Sequence, residues 1–328
     1  MLLLLELRGG NDGLNTLCPY RDPLYLQARP SLALHGAIPL YADLAIHSAM
    51  APLLPLWKRQ RLGFALGVGW PQPNRSHFKA ADQWATANPS GEGVGWLAKA
   101  FQNRPESGPL LALGPSGCAA MEGGDVLALE LAAGQLQPRT EPLIDPSAAG
   151  ASPILRRMLE LELAGNRELE RLRGTLAPLS KRLTIPRTSL GQQVALALRL
   201  IGSGQCPPVL QLAQGGYDTH ANQAARHARV LAELAEAMVL LDDGLKSLSH
   251  RPLVTMLAVS EFGRRLIENG SRGTDHGSAS VALLYGDTLQ EQLLGSYPRL
   301  DQLDSRGDMI PNLNPISLYQ KVLEISMI

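Results

Sequence analysis

Residues Leu253–Gly277 read LVTMLAVSEFGRRLIENGSRGTDHG. The segment opens with Leu253–Val259, an apolar run that contains β-branched residues, is too short for a typical helix and shows no polar alternation. Such a run predicts a parallel strand buried on both faces of a sheet, because a strand with one exposed face alternates apolar and polar residues. The chain is therefore expected to have an α/β fold.

Polar and charged residues follow this predicted strand. Glu261 and Arg264 come just after it, and Asp275 and His276 stand between glycines, shortly before another apolar run at Ala279–Tyr285. In open α/β sheets ligands bind beyond the carboxyl ends of the strands, so Glu261 is expected where such proteins carry out their chemistry. An exposed loop rich in turn residues and charges is the alternative explanation for Asp275 and His276.

Composition excludes several classes of protein. The 328 residues include 30 Lys and Arg and 30 Asp and Glu, so no overall charge favours nucleic acid or an anionic membrane surface. The longest apolar runs are well short of a membrane span. The cysteines Cys18, Cys118 and Cys206 are odd in number and lack metal-ligand spacing, which argues against a disulfide framework and a thiolate zinc site.

The N-terminal residues predict a first strand rather than a signal peptide. Met1–Leu7 has no basic region before its apolar run, and Glu6 and Arg8 interrupt the run where a signal peptide would continue. The sequence as it stands therefore predicts no export signal and a cytoplasmic location. After this strand, Asp12 belongs either to a strong glycine-rich turn or to a functional site at the carboxyl end of a central strand.

A second candidate site follows the predicted strand Arg61–Trp70. The chain continues through prolines to Ser76 and His77, where the predicted helix Phe78–Ala87 begins. Ser76 is either the N-cap of this helix or a nucleophile at a helix N-terminus, where free backbone amides favour anions such as phosphate. The two roles compete for the same oxygen. His47, at the start of another short helix, fits a capping or packing role more readily than a site role.

A third candidate site follows the predicted strand Pro208–Ala213. Asp218 and His220 come next, ahead of a long predicted helix at Ala221–Leu248. An Asp-x-His sequence presents an oxygen ligand and an imidazole ligand from one turn, which suits a metal ion. The alternative is a helix start capped by Thr219, with the acid interacting favourably with the helix dipole.

The alternation of strands and helices predicts one doubly wound, mostly parallel central sheet with helices on both faces. Residues 1–328 are expected to form a single domain. The remaining predicted elements are strands at Gly108–Leu113 and Asp125–Leu131 and helices at Ser48–Gln60, Ser152–Lys181, Ser189–Gly202 and Pro315–Ile325. The segments Pro19–Pro39 and Gly286–Met309 are expected to be irregular.

Five ordered motifs resemble a known family. They are LRGGNDGLNT, NRSHF, GGYDTHANQ, SEFGRR and GTDHG, and the resemblance spans almost the whole chain. Together they are similar to the pattern of the bacterial DUF1501 family, which is grouped with the alkaline phosphatase and sulfatase superfamily. Members are largely uncharacterised and typically begin with a twin-arginine leader for export to the periplasm. The sequence as given lacks this leader, so either its N-terminus has been cut or mis-assigned, or this member stays inside the cell. Ser48 also departs from the family, which usually has proline at that position.

The resemblance implies a mixed sheet flanked by helices, with two metal ions at the strand ends. Superfamily members use Asp and His ligands and a Ser, Thr or modified Cys nucleophile. The metal ligands implied for this chain are Asp12, Asp218, His220, Glu261, Asp275 and His276. The implied catalytic residues are Ser76 as nucleophile, His77 as base or ligand, and Arg264 or Arg75 as an anion clamp. The superfamily usually has Asp-His where this chain has Glu261-Phe262, so one ligand is altered.

These observations predict a metal-dependent hydrolase or transferase that acts on a phosphate or sulfate ester. Its substrate would be a small-molecule ester or another anionic compound. A mixture of carboxylate and imidazole ligands suits zinc, manganese or magnesium better than copper or an iron–sulfur cluster. The alternative is a binding or scaffold protein that keeps the metal-binding loops and has lost catalysis. Turnover of aryl phosphate and sulfate esters distinguishes the two, whereas metal content does not.

Overall fold

A computed structural model describes residues 1–104, 108–131, 143–204, 206–287 and 289–326. The strands are Leu2–Leu7 (β1), Leu17–Cys18 (β2), Ile38–Tyr41 (β3), Leu44–Ile46 (β4), Leu62–Val68 (β5), Leu110–Ala112 (β6), Ala128–Glu130 (β7), Val209–Gln214 (β8), Thr255–Val259 (β9), Ser280–Gly286 (β10) and Leu293–Leu294 (β11). The α-helices are Gly13–Thr16 (α1), Pro23–Ala28 (α2), Leu54–Lys58 (α3), His77–Thr86 (α4), Trp96–Phe101 (α5), Pro153–Thr175 (α6), Ser189–Ile201 (α7), Gln223–Lys246 (α8) and Pro315–Ser326 (α9). Among the described residues, no helix is both long enough and apolar enough to cross a membrane.

Eight of the described strands form the central sheet, in the order β11-β5-β10-β9-β1-β8-β6-β7. Neighbouring strands are parallel except at β10, which runs antiparallel to both β5 and β9. A smaller antiparallel sheet contains β2, β4 and β3. The protein therefore has the predicted α/β fold, with a mixed, mostly parallel sheet.

Helices cover both faces of the central sheet. Successive side chains of each strand point to opposite faces, so each central strand contributes to two cores. In β1, Leu3 and Leu5 belong to the core that also contains residues of α7 and α8. Leu2 and Leu4 belong to a second core, which contains residues of α4, α5 and α9. Both faces of β1 are thus buried, which explains why its sequence has no polar alternation.

The strand directions bring the candidate site residues to one edge of the sheet. β1 pairs in parallel with β8 on one side and β9 on the other, so the loops carrying Asp12, Asp218 and Glu261 leave at the same edge. β10 runs in the opposite direction, so His276, which precedes it, also lies at this edge. This is the edge at which α/β proteins bind ligands.

Two segments expected to be irregular contain regular structure. Pro19–Pro39 includes α2, where proline occupies the first turn and the Asp22 carboxylate accepts a hydrogen bond from the Leu24 amide. Proline is compatible with the first turn of a helix, so its presence does not exclude α2. Gly286–Met309 includes the two-residue strand β11 at the end of the sheet. The helix expected at Ser48–Gln60 is a 3₁₀ helix followed by α3.

Candidate metal centre

Four polar side chains converge at this edge of the sheet. His77 is the first residue of α4, Asp218 and His220 follow β8, and His276 precedes β10. His77, Asp218 and His276 each offer a ligand atom, and these atoms lie within 4.8 Å of one another. The Nε2 atom of His220 lies 2.9 Å from His276 Nε2 and 3.1 Å from Asp218 Oδ1. Three separate sequence motifs thus contribute to one cluster.

Glycine allows the loops of this cluster to approach one another. Gly9 has a φ of 118°, and a Cβ atom there would lie 2.4 Å from the amide nitrogen of Asp218. A Cβ atom at Gly273 would lie 2.2 Å from the carbonyl carbon of His220. Backbone atoms cannot yield to contacts this short, so both loops need glycine to hold Asp218 and His220 in position.

Hydrogen bonds at Nδ1 orient two of the imidazole rings. His276 Nδ1 lies 2.7 Å from the carbonyl oxygen of Arg75, and His77 Nδ1 lies 2.8 Å from Glu261 Oε1. A carbonyl or carboxylate oxygen can only accept a hydrogen bond, so Nδ1 carries the proton in each ring. The neutral rings then present the lone pair of Nε2 to the cluster, as metal-binding histidines do.

The donor set of the cluster fits a divalent metal ion. Three imidazole nitrogens, from His77, His220 and His276, and the carboxylate of Asp218 are ligand types that zinc binds readily. His77 Nε2 lies 3.6 Å from Asp218 Oδ2, and His276 Nε2 lies 3.4 Å from Asp218 Oδ1. The Asp218 carboxylate therefore contacts all three histidines, and its charge would offset part of the charge of a cation.

Arg264 holds Asp218 from beneath the cluster. Its buried guanidinium donates to Asp218 Oδ1 over 2.8 Å. It also donates to the backbone carbonyl oxygens of Gly9, Gly10, Tyr217 and Thr274. Burial alone would raise the pKa of Asp218, but the hydrogen bond and charge of Arg264 outweigh burial and lower it. Arg264 thus faces Asp218 and the backbone, whereas an anion clamp would face the open side of the cluster.

Glu261 and Asp275 contact the imidazole rings from outside the group of converging ligand atoms. Glu261 Oε1 accepts hydrogen bonds from His77 Nδ1 and from the Gly9 amide. Burial alone would raise the pKa of Glu261, but the hydrogen bond from His77 and those from backbone amides lower it. The same His77–Glu261 bond raises the pKa of His77. Asp275 Oδ1 lies 3.5 Å from His220 Nδ1 on the exposed side of the cluster.

Asp12 is not among the ligand atoms that converge. Its Oδ2 atom lies 2.5 Å from Arg29 Nη1 in a fully buried ion pair and also accepts a hydrogen bond from Gln223. Burial alone would raise the pKa of Asp12, but the charge and hydrogen bond of Arg29 lower it. Asp12 Oδ1 is buried and has no hydrogen-bond partner in the part of the chain that the structure describes. The carboxylate expected to bind a metal is thus neutralised by a guanidinium.

The Ser76 hydroxyl is exposed and does not cap α4. Ser76 occupies the N-cap position, but its side chain makes no capping hydrogen bond. Its amide instead donates to Asn74 Oδ1. The competition expected for the Ser76 oxygen is therefore absent. His47, by contrast, does cap a helix, because its Nδ1 accepts a hydrogen bond from the Ala49 amide.

A family model described as "Protein of unknown function (DUF1501)" matches residues 68–297. The chain belongs to the DUF1501 family. The matched region of this DUF1501 protein includes His77, Asp218, His220 and His276, whereas Asp12 precedes it.

Two further comparisons concern curated proteins and solved structures. The search of curated proteins finds no match. Among solved structures, this DUF1501 protein is similar to the C-terminal periplasmic domain of EcEptC from Escherichia coli, in a complex with zinc. The two share 10% sequence identity with a TM-score of 0.44, and the match covers 98% of this chain and 81% of that chain.

Sequence patterns did not identify every residue that shapes this site in the DUF1501 protein. Arg29 lies in a proline-rich segment, and no local pattern marks it as the partner of Asp12. Asn269, whose side chain donates to the His220 carbonyl and to Asp275, stands in a run of turn residues where asparagine is common. His77 follows β5 and Glu261 follows β9, two strands that β10 separates in the sheet, so the order of the motifs does not pair Glu261 with His77.

Proposed function

We propose that this DUF1501 protein is a hydrolase or transferase of phosphate or sulfate esters that depends on a divalent metal ion. The convergence of His77, His220 and His276 with Asp218 is the observation that supports this proposal. These four residues would hold the ion, and zinc matches three imidazoles and one carboxylate better than magnesium, which prefers oxygen ligands. A bound divalent cation supplies charge stabilisation at the ester and lowers the pKa of a nearby hydroxyl group or water.

The residues around the ligands would hold them in one arrangement. Glu261 and the carbonyl oxygen of Arg75 fix the rings of His77 and His276, and Arg264 fixes Asp218. Such outer hydrogen bonds orient metal ligands and keep the site from reorganising during reaction. In this proposal His77 is a ligand rather than a base, because its Nε2 faces the cluster and its Nδ1 is bound to Glu261.

Ser76 is the proposed nucleophile. Its hydroxyl is exposed, is not used as a helix cap and belongs to the residue before His77. The Ser76 oxygen would bond to the phosphorus or sulfur atom as the hydroxyl gives up its proton to water. The bond from that atom to the ester oxygen would break, and the ester oxygen would take up a proton and leave as the alcohol. Water would then release the phosphate or sulfate in a hydrolase, and a second alcohol would accept it in a transferase.

A binding protein without catalysis is the second candidate function. The buried Arg29–Asp12 pair favours it, because Arg29 occupies a carboxylate that the superfamily resemblance assigns to a metal. With that carboxylate engaged, a two-metal centre lacks one of its expected ligands. This candidate predicts metal binding without turnover.

Turnover of aryl phosphate and aryl sulfate esters by zinc-loaded protein tests the proposed function. The native protein is expected to release the aryl alcohol, and a His77→Ala, His276→Ala double variant is expected to lose this activity while remaining folded. His250→Ala changes an exposed histidine that precedes β9 and is the matched control. Native protein that binds zinc stoichiometrically but turns over none of the esters would contradict the proposal and favour the binding role.

A further inference from the structure

Two arginines share one buried carboxylate next to the candidate metal centre. The Asp308 side chain is fully buried, with Oδ2 in contact with Arg75 Nη2 and Oδ1 3.4 Å from Arg265 Nε. The arginine side chains are 27% and 33% exposed, respectively, so both remain partly accessible to a ligand. Asp308 lies beyond residues 68–297, the region that the family model matches.

Both arginines belong to segments that contact the metal centre directly. The carbonyl oxygen of Arg75 accepts the hydrogen bond from His276 Nδ1. The amide of Arg265 donates to the carbonyl oxygen of Asp275 over 3.1 Å, and Arg264 forms an isolated β-bridge with His276. The two guanidinium-bearing residues therefore lie on segments that adjoin His276.

The loop that carries Asp308 fixes its position. The Asp308 amide donates to Asp304 Oδ1 over 2.8 Å, and the Asp304 amide donates back to the Asp308 carbonyl over 2.9 Å. The carbonyl oxygen of Arg306, in the same loop, accepts a hydrogen bond from Arg265 Nη2 over 3.0 Å. Arg75 and Arg265 are thus held by contacts with one closed loop.

The charges of this group do not cancel. Asp308 can neutralise only one of the guanidinium groups of Arg75 and Arg265. Arg306 adds another positive charge, and Asp304 Oδ1 accepts hydrogen bonds from the amides of Arg306 and Asp308. Arg75, Arg265 and the one carboxylate they share carry a net charge of +1, and Arg306 and Asp304 add one charge of each sign. Asp275, which lies near Arg265, offsets this charge from the side of the metal cluster, where it also contacts His220.

We propose that Arg75 and Arg265, positioned by Asp308, form an anion-binding pair that selects phosphate monoesters over sulfate monoesters. This inference rests on the proposed function and names its substrate class. A phosphate monoester carries close to two negative charges at neutral pH. A sulfate monoester has no second ionisable proton and carries one. Guanidinium groups bind phosphate oxygens through paired hydrogen bonds, and two guanidinium groups beside a divalent cation attract a dianion more strongly than a monoanion.

Binding of phenylphosphonate and benzenesulfonate to the zinc-loaded protein tests the inference without turnover, because neither compound contains an ester bond. Calorimetry at about pH 8.5 compares a dianion with a monoanion, since the second acidic proton of the phosphonate is then lost. Native protein is expected to bind phenylphosphonate more tightly than benzenesulfonate. Arg75→Gln and Arg265→Gln should each weaken phosphonate binding about tenfold or more, as expected for loss of a hydrogen bond between charged groups. Benzenesulfonate binding should change less.

The control variants distinguish the loss of an arginine charge at this site from misfolding and from loss of zinc. Arg299→Gln removes an exposed arginine paired with Asp301 and should leave both affinities unchanged. Zinc content is measured for each variant, and Arg265→Lys should retain part of the phosphonate affinity because it keeps the charge. Equal affinity of the native protein for the two compounds, or phosphonate affinity unaffected by both glutamine substitutions, would overturn the inference. Arginine-dependent phosphonate binding without turnover of any ester would instead overturn only the proposed function.

Discussion

The Nε2 atoms of His220 and His276 lie 2.9 Å apart, a distance at which two bare nitrogen lone pairs repel each other. A proton or a metal ion must therefore lie between or beside these atoms. His276 already donates from Nδ1 to a backbone carbonyl, so its Nε2 is the free acceptor of the neutral ring. Asp218 Oδ1 lies 3.1 Å from His220 Nε2, which adds a negative charge where a cation would bind.

Glu261→Gln is expected to weaken zinc binding about 10- to 100-fold, because the carboxylate orients His77 and strengthens its Nε2 as a donor. Competition between the protein and a chromogenic chelator measures this affinity. Glu236→Gln, at an exposed position of α8, is the control and should bind zinc like the native protein. If Glu261→Gln also matches the native affinity, the hydrogen bond to His77 has no part in metal binding.

Arg264→Met is expected to lower the free energy of unfolding by about 1–3 kcal/mol, the cost of leaving buried hydrogen-bond acceptors without a partner. Asp218 and four backbone carbonyls would lose their donor together. Urea denaturation of metal-free protein measures the change. Arg299→Met, in an exposed ion pair, should change stability far less, and a similar small effect at Arg264 would contradict the supporting role given to it.

The sequence predicted the sheet because its central strands are buried on both faces, which leaves recognisable apolar runs such as Thr255–Val259. The direction of each strand was harder to predict from the sequence. β10 has the same apolar character as its neighbours, and its antiparallel orientation depends on the connection from Arg264 to Ser280, which crosses the edge of the sheet instead of returning along a helix. The prediction that the whole chain forms a single domain stays a prediction.

The motifs predicted which residues approach the site better than they predicted what each residue does. Asp218, His220 and His276 converge because their loops all leave one edge of the sheet. Whether Glu261 or His77 points into the cluster depends on where α4 enters relative to β9, which no spacing in the sequence encodes. The role of Asp12 depends on Arg29, a partner 17 residues away in an unpredicted helical segment.

The free energy of unfolding is expected to fall as the pH is lowered from about 6.5 to 4, and His227 should contribute to this slope. Burial lowers the pKa of His227 to about 4 in the folded protein, whereas an unfolded histidine titrates near 6.5. Between these values the unfolded chain binds the proton and the folded chain does not, so acid favours unfolding. Urea denaturation between pH 7 and 4 should show that the stability of His227→Gln depends less on pH than that of the native protein. An equal pH dependence in both proteins would contradict the burial of neutral His227.

Ser76→Ala is expected to change the free energy of unfolding by less than about 0.5 kcal/mol, because the hydroxyl makes no capping bond. Turnover should fall by several orders of magnitude if Ser76 attacks the ester. Thermal unfolding and ester hydrolysis by the same zinc-loaded preparation measure the two effects. Activity close to that of the native protein would instead mean that water attacks the ester directly.

Zinc stoichiometry and affinity test most directly the claim that His77, Asp218, His220 and His276 form a metal centre. Titration of chelator-treated protein, followed by elemental analysis after dialysis, compares the native chain with the folded His77→Ala, His276→Ala double variant and with His250→Ala. The account predicts one tightly bound zinc ion in the native chain and in His250→Ala, and none retained by the double variant. Equal zinc content and affinity in all three proteins would contradict it.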